Sequence, residues 1–236
     1  RPAFKYKFRD TIKGIAVFYG IMVAISIGFI YLASLNLGND NEVTGQLSAF
    51  VTTAAIMLFV LGIVAIREDI RLMIQNGIGR RTIFITELLL TLSVSFILAI
   101  AGELLITVGQ VVIANWQGFF ITDLYQMLYT NGVNYRMSLA AHFESIVFAF
   151  SIYVCASLAG ILISLVFYRL NKIGTIIMAI GAPLFLFVVL PITLNRSGVW
   201  YFLKPVFSTI LELILSSPWA FVFCFLLTTI FIGILS

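Results

Sequence analysis

Six runs of about 20 or more mostly apolar residues divide the chain, each long enough to cross the hydrocarbon core of a bilayer as an α-helix. They cover residues 12–35, 47–66, 82–114, 145–168, 174–194 and 218–236. With 61% apolar and 10% charged residues, the chain is too apolar for a water-solvated fold. The expected fold class is therefore all-α: a single polytopic transmembrane domain of six helices spanning residues 1–236. The first run has no small-residue cleavage site behind a short apolar core and is expected to remain in the mature protein. The chain starts at Arg1 and stops at Ser236 inside an apolar run, so further residues are expected at both ends.

Basic residues accumulate on the cytoplasmic side of spans. Arg1, Lys5, Lys7, Arg9 and Lys13 precede the first run, Arg67, Arg71, Arg80 and Arg81 separate the second from the third, and Arg169 and Lys172 separate the fourth from the fifth. The alternate connections hold only Arg136, Arg196 and Lys204, beside Asp40, Glu42, Asp123 and Glu212. Both ends are expected in the cytosol. The net charge of +4 is then a topology signal and not a nucleic-acid footprint.

Residues 1–13 interleave basic and aromatic side chains, which suits a segment lying in the membrane interface. Small residues recur every four positions at Gly20, Ala24 and Gly28, and again at Ala156, Gly160 and Ser164; such stripes let helices approach closely in lipid, and packing inside the chain is expected of both. The third run, at 33 residues, would be about 50 Å long as one helix and is expected to tilt, protrude or break at Gly102 or Gly109. Residues 115–137 and 195–217 are rich in aromatics and are read as pieces lying at the lipid boundary, with 199–215 a candidate re-entrant helix. Pro183 and Pro191 should bend the fifth span.

Catalytic and metal chemistry find little support. No G-x-x-x-x-G-K-[ST] loop is present, so the chain cannot hydrolyse ATP in the P-loop manner. The single histidine, His142, is followed two residues later by Glu144, a spacing that sends the two side chains apart on a helix. No zinc set can be built from two such groups, and anchoring at the interface is the reading for both. Cys155 and Cys224 fall inside spans without redox spacing and read as packing residues. Catalytic, metal and cofactor-binding residues are therefore all expected to be none. Two carboxylates lie within the third run. Glu87, one to two turns from its start, is expected to pair with cytosolic charge. Glu103 lies about 31 Å along the helix from Thr82 and is either held by interhelical hydrogen bonds or a candidate pathway residue.

The most informative interruption is Arg67 to Gly77. Ile70, Met73 and Ile74 share one helical face, with Glu68, Asp69, Arg71 and Gln75 on the others, and Asn76 and Gly77 end the helix. Apolar residues in a charged cytosolic connection suit a helix that docks in a partner's groove; a helix resting on the inner membrane surface is the alternative.

With six spans, a basic N-terminal segment, a short second-to-third loop closing in Asn76-Gly77-Ile78-Gly79-Arg80-Arg81 and an aromatic outer piece before the last span, the chain resembles permease subunits of ABC exporters of the ABC-2 type. The resemblance covers the whole chain in architecture and about fifteen residues in motif. It implies a coupling helix at Arg67, Glu68, Asp69, Ile70, Arg71, Met73, Ile74, Asn76 and Gly77, seated on a separate P-loop ATPase subunit that binds ATP and Mg. It further implies a second cytosolic contact at Arg169 and Lys172, a second permease subunit, identical or paralogous, and a bacterial plasma-membrane location. Few intramembrane charges and many Phe side chains point to a hydrophobic or amphipathic cargo such as a peptide or lipid-like compound. The rival reading is an ion-gradient-driven transporter or channel with Glu87 and Glu103 as ion sites. An intramembrane enzyme ranks third for want of a catalytic set.

Overall fold

The structure, a computed structural model, describes residues 2–36, 45–47, 50–75, 77, 79–113, 119–129, 138–171, 174, 208–209, 212 and 217–235. Six helices and two short strands lie among them: α1 Pro2–Asn36, β1 Gly45–Leu47, α2 Phe50–Gln75, α3 Arg80–Ile113, β2 Phe119–Ile121, α4 Leu124–Tyr129, α5 Leu139–Arg169 and α6 Pro218–Leu235. The architecture is helical, with β1 and β2 joined as one small parallel pair in the register Gly45 to Phe119. Three-residue strands carry no readable periodicity, so this pair was not expected.

Among the described residues three helices contain stretches long and apolar enough to cross a membrane, Lys7–Gly28, Arg81–Val111 and Leu139–Phe167, and two shorter apolar stretches are Phe50–Val64 and Pro218–Thr229. The predicted fifth span at 174–194, with Pro183 and Pro191, lies outside the described residues apart from Gly174. Most of 195–217 does too.

α3 shows why lipid is the solvent. It buries Glu87, Thr91, Ser95 and Glu103, and exposes Ile85, Leu89, Leu92, Phe96, Leu104, Val108 and Val111. In water the hydrophobic effect would select the opposite arrangement. In hydrocarbon, polar side chains turn toward one another inside the bundle.

Several expected boundaries move. α3 runs unbroken through Gly102 and Gly109, so the long third run protrudes or tilts without breaking. α1 is continuous from Pro2, so residues 2–13 extend the first helix. α5 begins six residues ahead of the predicted span, because the Ser138 Oγ accepts the Ala141 amide at 3.3 Å and caps the helix. The 115–137 piece is also not simply spread at the lipid boundary. Within it, α4 folds against α5, burying Tyr125 with Phe148 and Val222 in a cluster that Tyr129 and Phe221 complete.

The main core joins Ile15 of α1, Val51, Ala54 and Leu58 of α2, Leu90, Val94, Leu98 and Ala99 of α3, and Ala149 and Tyr153 of α5. The closest approach is between α2 and α5. A Cβ added to Gly160 would stand 2.2 Å from the Phe59 carbonyl oxygen, and one added to Gly62 would stand 2.5 Å from that of Ser157. One turn on, the Ser164 hydroxyl donates to the Ile63 carbonyl at 2.8 Å. The fourth-run stripe thus packs inside the chain as expected. For the first-run stripe, nothing among the described residues stands within 4 Å of a Cβ added to Gly20 or Gly28.

Candidate functional site

Two polar groupings sit toward opposite ends of α3, 16 residues or about 24 Å apart along its axis. At the first, the Lys7 ammonium of α1 donates to the Glu87 carboxylate of α3, and both side chains are nearly enclosed, at 10% and 5% exposure. Glu87 was expected to pair with charge near Arg80 and Arg81; the partner seen is Lys7, 80 positions away. A half-open pocket lies against this pair, lined also by Thr11, Gly62, Thr91 and Ser157. The Thr91 and Ser157 hydroxyls lie 3.3 Å apart at its floor.

The second grouping gathers side chains from three elements. Glu103 comes from α3, Asp123 from the residue that precedes α4, and His142 and Ser145 from the first turns of α5. The His142 Nδ1 lies 2.6 Å from Glu103 Oε1, and the Ser145 Oγ lies 2.6 Å from Glu103 Oε2 and 2.6 Å from Asp123 Oδ2. Asp123 also caps α4: its Oδ1 accepts the Leu124 amide at 2.7 Å. Beside it the Gln126 side-chain oxygen accepts from the Asp123 amide and from Gln110 Nε2. His142 and Glu144 diverge as their spacing predicts, since Glu144 accepts instead from the Tyr125 hydroxyl at 2.5 Å. Both side chains are held by other elements of the bundle, Glu103 and Tyr125.

Burial is the main cause that pushes the Asp123 carboxyl up to about 6, and the neighbouring Glu103 adds to it. Hydrogen bonds from Ser145 and from the Leu124 and Tyr125 amides oppose the rise without cancelling it.

Glu103 is thus the one candidate pathway residue that sequence reasoning placed, and interhelical hydrogen bonds hold it. Asp123 and Ser145 were missed. Asp123 counted only as an outer-loop charge, although a Thr-Asp pair ahead of an apolar stretch is a helix-start signal. Ser145 lies one helical turn beyond His142, on the same face.

The expected docking residues Arg67, Glu68, Asp69, Ile70, Arg71, Met73 and Ile74 all lie on the backbone of α2, which continues without interruption from the apolar stretch to Gln75. The expected boundary between span and docking helix is absent. Asn76 lies outside the described residues, and Gly77 has φ 74°, a left-handed conformation that glycine adopts at no steric cost and that ends helices. α3 starts three residues later, with the Thr82 and Ile83 amides both donating to the Gly79 carbonyl. Arg169 is the last residue of α5, and Lys172 lies outside the described residues. Among the described residues no group of three or more His, Cys, Asp or Glu side chains could hold a metal ion.

These features define a membrane-embedded helical protein with buried acid-containing networks. No protein-family model, no curated protein and no solved structure matches the chain.

Proposed function

We propose that the chain is the six-span permease subunit of an ATP-driven exporter of the ABC-2 type, which moves a hydrophobic or amphipathic cargo out of the cytosol with energy from a separate P-loop ATPase. The observation that carries this reading is the continuity of α2. One helix runs from the apolar core through the amphipathic stretch Arg67–Gln75, so a push on its charged end reaches the bundle without a flexible joint. The Gly62 and Gly160 contact passes that displacement to α5, whose far end carries His142 and Ser145.

Helix directions support six spans. The third turn of α5 and the first turn of α6 meet through Phe148 and Phe221, with ring centroids 4.4 Å apart, and about two turns later Cys155 meets Thr228, so the two helices run parallel. The chain leaves α5 at one end of the bundle and enters α6 at the other, the parity a fifth span between them requires. The Lys7–Glu87 pair sets the starts of α1 and α3 at one end, and the β1–β2 pair sets the exits from those helices together at the other. Sidedness follows from the basic residues, which puts Arg67–Gly77 in the cytosol.

A P-loop ATPase, recognised by its G-x-x-x-x-G-K-[ST] loop, should co-purify with the chain in mild detergent, and Met73→Asp should release it. The ion-gradient reading draws on the burial of Glu87 and Glu103. It requires transport that persists without the ATPase and stops in Glu103→Gln, which is the opposite pattern.

A further inference from the structure

The hydrogen atoms around Ser145 do not balance unless one more is present. A serine hydroxyl carries one hydrogen. The Ser145 Oγ nevertheless lies 2.6 Å from an oxygen of each of two carboxyl groups, Glu103 and Asp123. It can donate to one of them, and the other contact is a hydrogen bond only if that carboxyl carries a proton and donates back.

The surroundings decide which carboxyl carries it. Glu103 already has a partner at each oxygen, with Oε1 facing the His142 Nδ1 and Oε2 facing the Ser145 Oγ. Asp123 uses Oδ1 to accept the Leu124 amide and so keeps Oδ2 for the proton. The bonds then run one way: Asp123 Oδ2–H donates to Ser145 Oγ, and Ser145 donates to Glu103 Oε2.

We propose that Asp123, Ser145 and Glu103 form a binding site for one exchangeable proton, which fastens α4 and its aromatic cluster to α3 and α5 and whose loss loosens that end of the bundle. Deprotonation removes one of the two short bonds and leaves two buried carboxylates sharing a single hydroxyl, an arrangement that like charges disfavour. Among the described residues the other ionisable groups on the elements around this site are Tyr19 of α1, Tyr125 and Tyr129 of α4, and His142, Glu144 and Tyr153 of α5. On their described residues α2, α6 and the two strands bring no carboxyl, histidine or basic side chain there. Asp40, Glu42, Tyr135, Arg136, Arg196 and Lys204 lie outside the described residues. The raised pKa of Asp123 agrees with a proton held in mildly acidic conditions, below about pH 6. The site is independent of what powers transport.

The full chain in lipid nanodiscs would be titrated by infrared spectroscopy and by amide hydrogen exchange corrected for the intrinsic pH dependence. The expected result is a protonated-carboxyl band that fades with a midpoint near pH 6 and is missing in Asp123→Asn. In step with it, exchange protection of α4 amides should fall by up to about a hundredfold, the limit set by a rise of about two pKa units. In Asp123→Asn the side-chain amide replaces the missing donor, so α4 protection should stay high and insensitive to pH. Glu103→Gln gives a second isosteric test and should also flatten the profile. The proposal is overturned if wild-type α4 protection is the same at about pH 5 and pH 8, or if Asp123→Asn retains the wild-type midpoint.

Discussion

Gly160 of α5 lies against Phe59 of α2 so closely that a methyl group on Gly160 would stand 2.2 Å from the Phe59 carbonyl oxygen. The obstacle is backbone, which cannot rotate away as a side chain could. Gly160→Ala should therefore force the two helices apart and lower stability by about 1–3 kcal/mol, the usual range for overpacking. Gly62→Ala should do the same, while Gly20→Ala, which meets nothing within 4 Å, should be close to neutral or slightly stabilising. Denaturant titration of the purified protein in mixed micelles reads all three.

The Lys7 and Glu87 pair is enclosed on both sides, so removing one partner leaves a charge in a poorly solvating place. Lys7→Met or Glu87→Gln should each cost about 3–5 kcal/mol. The double variant should cost clearly less than the two single losses together, because it removes both charges of the pair at once. A double-mutant cycle in the same micelles measures the difference.

Asp123 has a carboxyl pKa that folding raises, from 3.8 to about 6, so the native state binds the proton more tightly than the unfolded chain does. The sign follows from linkage: where the folded protein holds more protons, stability falls as pH rises. Its contribution is largest below about pH 4 and is lost between pH 4 and pH 6, a change of roughly 3 kcal/mol. Unfolding free energies measured across this window should show the decline in wild type and a flatter line in Asp123→Asn.

Much of the architecture was legible because apolar run length is a direct measure of what a bilayer requires. The ends of helices were harder to read. Nothing in the composition of residues 2–13 says whether they continue α1, and only the partner of Lys7, 80 residues away, explains their position. Glu103 drew attention as a carboxylate deep in an apolar run, a costly placement that needs a reason. Asp123 and Ser145 are ordinary residues in their own segments. They become a site only when α3, the start of α4 and α5 converge, and a one-dimensional pattern holds no record of that convergence. The docking stretch shows the reverse case. Its amphipathic pattern was plain from Ile70, Met73 and Ile74, yet the absence of any joint between it and the membrane helix appears only in the continuous α2.

The most direct test of force entry through α2 is site-specific photocrosslinking at position 73 in native membranes, with position 139, on the first residue of α5 at the opposite end of the bundle, as the control. The expected product at position 73 joins this chain to a protein bearing a P-loop, and its yield should change when ATP is added. Crosslinks at position 73 that go only to lipid, or a P-loop partner captured equally well from position 139, would contradict the proposed role.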